Sequence, residues 1–201
     1  MTRKDPRAFY NREQIINEIR KYGIDANFSS LNLKGLGLSN LELCKINFSY
    51  SDLSTSNFKN SDLSECNLEG TILQEANFHF SKLNNSNLQN TDLRGANLSN
   101  SDLRDVDLRG ANLSNAIIIN SNLEGADLTN TNLKNAILSF SNFKNTCLEN
   151  SNLTEAILIG VNLTDANLQM AILTDADFED AILTGVYLYK ANIDDAKNFK
   201  I

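Results

Sequence analysis

The chain has no tryptophan, one proline, one histidine and three cysteines among 201 residues, and each scarcity removes a class of protein. The lone histidine, His79, sits between Phe78 and Phe80. It has no second histidine or neighbouring cysteine with which to share a metal ion, so a surface residue and no metal centre are expected. Cys44, Cys66 and Cys147 are too few and too scattered for a disulfide scaffold. Pro6 lies near the start, and with no other proline there is no sign of a linker dividing the chain. No stretch approaches the length of a membrane span, and the opening MTRKDPRAFYNREQ has no apolar core of a signal peptide. A cytoplasmic protein with no membrane partner is the expectation.

Catalytic motifs are equally scarce. There is no phosphate-binding loop, nucleophile elbow or spaced cysteine pair. Gly35-Leu36-Gly37 is too short for a nucleotide loop and reads as a pair of turn glycines. Asp52, Asp62, Asp92 and Asp102 recur too regularly to be a carboxylate dyad and are expected to be solvated. The chain is therefore expected not to be an enzyme, with no catalytic residues, cofactor, metal or small-molecule substrate.

What the chain does have is a period. Every fifth residue from Phe28 to Ile193 is Leu, Phe or Ile, a run of 34 without a break. Helices need apolar spacings near 3.6 and half-buried strands need a spacing of 2, so neither element alone explains five. The residue two before each of these centres is small or apolar, as in Ser51, Ser56, Cys66, Thr71, Ala76 and Ala166. The other positions are mostly Asn, Asp, Ser, Thr, Lys, Glu or Gly, which suits turns facing water. A five-residue unit cannot bury its centre alone, so copies must stack and stability becomes a sum over neighbours.

Units such as Ala96-Asn97-Leu98-Ser99-Asn100 and Ala111-Asn112-Leu113-Ser114-Asn115 resemble the A(D/N)LXX signature of the pentapeptide-repeat family, over residues 26–195. The resemblance implies an all-β solenoid, a right-handed quadrilateral β-helix in which each unit forms one side of a square and four units form a coil. That gives about eight coils, a rod of ~40 Å at the usual strand spacing. It also implies a bacterial source.

Three regions follow. Residues 1–25 hold an N-terminal segment with a capping helix, residues 26–195 the repeats, and residues 196–201 a C-terminal tail. Asn11 with Gln14 three residues later reads as a helix start, and Gly23 as its end. Ile15, Ile16, Ile19 and Tyr22 share one helical face, predicting a helix over 11–22 that lies across the first coil or docks to a partner. The basic residues Arg3, Lys4, Arg7, Arg12, Arg20 and Lys21 are expected to solvate it. At the other end the register fails at Asn198, leaving Phe199 and Ile201 to fold over the last coil.

On a square solenoid, residues twenty apart stack. Asn112, Asn132 and Asn152 then form one predicted amide ladder and Asn122, Asn142 and Asn162 another. One side departs from the polar rule. Ile117, Ile137 and Ile157 occupy one outward column, with Ile119 and Ile159 in the next and Phe140 beside them. Such a strip is either a tolerated variant of the repeat, since Ile72, Ile172 and Ile182 occur singly elsewhere, or a surface for a protein partner or for self-association.

Charge suggests a rival role. Residues 26–195 carry 21 acids and 10 bases, which disfavours direct nucleic-acid binding. Asp175, Asp177, Glu179, Asp180, Asp194 and Asp195 form a candidate acidic patch. An acidic rod resembles those family members that bind DNA gyrase as duplex mimics and confer quinolone resistance. However, a net charge of −11 over residues 26–195 on ~40 Å is about one charge per 4 Å, against one per ~1.7 Å on B-DNA. The sequence therefore favours a non-enzymatic scaffold for protein–protein interaction, with gyrase mimicry as the alternative.

Overall fold

The computed structural model describes residues 10–200. From Asn27 with Asn47 to Asp177 with Lys197, the residues just before the centres pair in parallel register with residues twenty farther on. Each coil therefore has twenty residues and four sides, and the chain winds as the right-handed quadrilateral β-helix that the repeat implied. Centres at Phe28, Leu33, Leu38 and Leu43 begin the first, second, third and fourth sides. All but the last few centres are buried, and the small residues between them line the same lumen. Phenylalanines stack where they are coil neighbours, Phe28 on Phe48 at 5.4 Å and Phe58 on Phe78 at 4.9 Å between ring centroids.

The five-residue unit can be explained donor by donor. In the unit around Leu53, the Asp52 N–H donates back to Leu31 at 2.9 Å, while the Leu53 and Thr55 N–H groups donate onward to Ile72 and Gln74 at 2.8 Å each. The Ser56 N–H closes the turn onto the Leu53 carbonyl at 3.1 Å. The fifth donor, the N–H of Ser54, goes to the Asp52 side chain at 2.9 Å. Asn or Asp before the centre thus supplies the acceptor that the ladder lacks, an Asx turn repeated along the rod.

The last residue of each unit has positive φ, which explains its frequent Asn, Asp and Gly. Tyr50, Phe80 and Phe140 occupy this position against that preference. Beneath Tyr50 and Phe140 the next coil has Gly70 and Gly160, where a Cβ would meet the ring at 2.5 and 2.7 Å respectively. Of the two glycines predicted to be turn residues, only Gly35 is one; Gly37 sits in the bridging column opposite Asn57.

Helix α1 spans Arg12–Tyr22 and opens on the expected capping box. The Gln14 N–H donates to Asn11 Oδ1 at 3.0 Å and the Asn11 N–H to Gln14 Oε1 at 2.8 Å. Ile15 is fully buried and Ile19 packs on the core, so the helix covers the first coil. Tyr22, however, lies outside that contact and is 39% exposed. Arg12 does more than solvate the helix: its guanidinium donates to the carbonyls of Gly37 at 2.6 Å and Ser39 at 2.9 Å, tying α1 to the third side. At the far end Phe199 meets Phe178 edge to face at 4.9 Å, covering one corner. Arg3, Lys4, Pro6, Arg7 and Ile201 lie outside the described residues.

Candidate functional site

The third side carries the candidate strip. Ile117, Ile137 and Ile157 bridge in succession, so their side chains stand in one column. Ile117 and Ile137 are half-covered, whereas Ile157 at the end of the stack is exposed, as are the solitary Ile72, Ile172 and Ile182 on other sides. Ile119 and Ile159 flank the column, half-buried, and Phe140 stands at the adjoining corner, 63% exposed.

Isoleucine in the bridging column gives up the side-chain acceptor that Asn or Asp provides. The N–H groups of Ile119, Ser139 and Ile159 therefore lack the Asx bond that the Ser99 N–H donates to Asn97 Oδ1 at 3.0 Å on the same side. Nowhere else among the described residues is isoleucine stacked three deep in this column. A second feature extends beyond the strip. From Gly37 to Gly160 the outward positions of this side hold no carboxylate over seven coils, while the other sides carry all 15 acids between Glu42 and Asp165. The isoleucines are legible in the sequence, but the absence of carboxylates around them is visible only when all seven rows are superposed.

The acidic patch is also a single region. Asp175, Asp194 and Asp195 lie on the second side and its corner, and Asp177, Glu179 and Asp180 continue onto the third. It is not purely acidic, because Lys197 bridges to Asp177 and Asn198 Nδ2 donates to Asp177 Oδ1 at 2.8 Å.

The remaining polar groups pair mostly with one another. Arg94, Arg104 and Arg109 fork onto the aspartates two residues before them, with Nη2 to Oδ2 distances of 2.7, 2.6 and 2.6 Å. Those hydrogen bonds hold Asp92, Asp102 and Asp107 below the usual carboxylate range. Of the aspartates expected to be merely solvated, Asp92 and Asp102 are thus partnered by arginine, a local Asp-x-Arg signal readable two residues apart. The amide ladders are partial. Asn132 donates to Asn112 at 3.2 Å and Asn142 to Asn122 at 3.0 Å. Asn152 and Asn162 accept from the N–H and hydroxyl of Thr154 and Thr164, and the ladders do not extend to them.

Glu42, Cys44 and Asp62 bring ligand atoms within 4.8 Å of one another, a grouping the sequence reading did not anticipate. Lys82 Nζ already neutralises Asp62 at 3.0 Å. Burial, then the Asp62 hydrogen bond and charge, push the Cys44 thiol up to about 11, so it stays protonated at neutral pH. Burial would raise Asp62, but hydrogen bonds from Ser64, Lys82 and Cys44 outweigh it and hold the carboxyl well below its ordinary range. Asp62 is thus the hub of a surface hydrogen-bond network with Ser64, Lys82 and Cys44. Cys66 is buried in the lumen and its thiol is pushed up to about 12 by that burial. His79 stands half-buried against Phe80, 4.2 Å between rings, with Nδ1 3.1 Å from the Ser99 carbonyl oxygen. A shallow open notch at Gln74, Glu75, Arg94, Gly95 and Asn115 arises where Gly95 leaves a gap in the corner column.

No helix among the described residues is long and apolar enough to cross a membrane. The family model for pentapeptide repeats matches in overlapping windows from 51–90 to 162–197, with eight copies. No curated protein matches the chain by sequence. Among solved structures, HetL, a pentapeptide repeat protein involved in heterocyst differentiation regulation from the cyanobacterium Nostoc sp. strain PCC 7120, is 26% identical. That alignment covers 93% of this chain and 96% of HetL, with a TM-score of 0.45. A trypsin-treated form of QnrB1, a plasmid-mediated fluoroquinolone resistance protein, is 19% identical over 81% of this chain and 77% of its own, with a TM-score of 0.44. A pentapeptide repeat protein of the Arabidopsis thaliana thylakoid lumen is 32% identical over 54% of this chain and 69% of its own, with a TM-score of 0.28.

Proposed function

Because this chain belongs to the pentapeptide-repeat family, a fold that does not by itself dictate an activity, we propose that it is a non-enzymatic scaffold whose third side binds a protein. The observation that carries this reading is the coincidence, on one side, of stacked isoleucines with the absence of carboxylates over seven coils. Three successive rows forgo a local hydrogen bond to place Ile there, and Phe140 occupies a positive-φ position while 63% exposed. Departures from a repeat rule that lack a folding benefit are expected at functional surfaces. Contiguous apolar patches on a polar surface mark interaction sites.

Duplex mimicry of the gyrase-binding kind is less well supported. A mimic needs carboxylates along its length, and one whole side here has none between Gly37 and Gly160. The test is affinity capture from the source organism, with retained proteins identified by mass spectrometry. Ile137→Asp is expected to lose a partner that Ile172→Asp, on the second side, retains. Equal capture by both variants and the parent would contradict the assignment. In a supercoiling assay with gyrase and a quinolone, the scaffold reading predicts no protection.

A further inference from the structure

The strip has a symmetry of its own. Rows 117 and 157 each present Ile on both sides of the centre, as Ile117 with Ile119 and Ile157 with Ile159, and row 137 between them presents Ile137 and Ser139. A two-fold axis through row 137, lying along the strand direction, would place Ile117 of one copy against Ile157 of another, Ile119 against Ile159, and Ile137 and Phe140 each against itself. That is the self-complementarity an isologous interface requires.

Charge selects the partner and the direction. The other three sides carry 15 acids against seven bases between Glu42 and Asp165, each side net negative, so pairing any of them with a second copy sets net like charge across the contact. The third side avoids this. If two rods ran parallel, the row of Asp177, Glu179 and Asp180 would meet itself. Running antiparallel about row 137, that row instead meets Asn97, Ser99 and Asn100, where the two asparagine amides can donate hydrogen bonds to carboxylates. Building on the reading of the third side as the contact side, we propose that its occupant is a second copy of this chain, packed face to face and antiparallel about the Ile137 row.

The area sets the strength. Rows 77 to 197 overlap in this arrangement, a contact of ~30 Å by ~10 Å from strand geometry. A few hundred Å² per copy is below the ~800 Å² of a standard stable interface, so the dimer is concentration-dependent.

Sedimentation velocity of the full chain across micromolar to near-millimolar concentration is expected to show one chain passing to two. Ile137→Asp places a residue that the repeat already holds before its centres, at Asp177 in the same column and Asp127 on the first side, so folding is retained, and a thermal melt checks this. It is expected to weaken association by ~30-fold or more, the loss of one buried anchor. Ile172→Asp is expected to leave association unchanged. Direction is read with a short bis-maleimide cross-linker matched to the ~10 Å between packed sheets, after replacing Cys44 and Cys147 by serine. Ile117→Cys mixed with Ile157→Cys is expected to cross-link, and Ile117→Cys alone is not. A single chain at every concentration overturns the second copy as occupant; the contact-side reading then stands or falls on whether Ile137→Asp loses its captured protein. A dimer that survives Ile137→Asp overturns the face, and self-cross-linking of Ile117→Cys overturns the antiparallel order.

Discussion

At the scale of single residues, the inward small column shows how hydroxyls substitute for backbone partners. Ser56 Oγ accepts from the Leu36 N–H at 3.0 Å and donates to the Leu33 carbonyl at 3.1 Å. Ser81 occupies the equivalent column, buried, and its hydroxyl has no partner among the described residues. The two serines look alike in sequence, and only the lengths and positions of neighbouring groups separate them. Replacing Ser56 by alanine leaves a buried N–H unpaired and is expected to cost about 1–3 kcal/mol, whereas Ser81→Ala removes an unsatisfied group and is expected to be neutral or stabilising. Denaturant melts of the two variants against the parent check this; equal losses would refute the distinction. The Asx acceptors before the centres were likewise hidden in sequence. Sequence suggests ladder or solvated residues there, but their first task is the local turn, and the ladder is added to it at Asn132 and Asn142, whose acceptors Asn112 and Asn122 hold Asx bonds as well.

At the scale of elements, α1 was legible because its capping box, apolar spacing and terminal glycine are all local signals. Its attachment was not. Arg12 reaches carbonyls 25 and 27 residues away, and no local pattern distinguishes it from Arg20 or Lys21. On the helix Ile15 is buried and Ile19, one turn away, packs on the core, while Tyr22 at its end stays 39% exposed. Asn11→Ala removes the side-chain half of the capping box, the acceptor of the Gln14 N–H, and is expected to cost about 1 kcal/mol. Hydrogen exchange should show this as faster exchange in α1, with the middle coils unchanged because coil stabilities add locally. Uniformly faster exchange along the rod would show that the helix is coupled to every coil.

For the whole molecule, the strict period of five made the square rod readable, since an uninterrupted register fixes which residues stack. Surface properties required that stacking first. The absence of carboxylates on the third side is a property of seven rows taken together, each unremarkable alone. The Arg pairs of Asp92, Asp102 and Asp107 have a consequence at this scale. Carboxyl groups held below their unfolded values stabilise the fold above the ordinary carboxylate pKa of ~4, and that contribution is lost as pH falls through their lower folded values. The thermal midpoint is therefore expected to be level from pH 7 to about 5 and to fall below about 4, with Arg104→Ala reducing the size of the fall; a midpoint that rises on acidification would contradict these pairings. The most direct test of the contact side is hydroxyl-radical footprinting of the intact protein, dilute and then with its captured partner or at concentrations where it associates. The account predicts that Ile137, Phe140 and Ile157 become protected while Ile72, Ile172 and Ile182 keep their reactivity. Equal protection on all four sides, or protection confined to the solitary isoleucines, would contradict it.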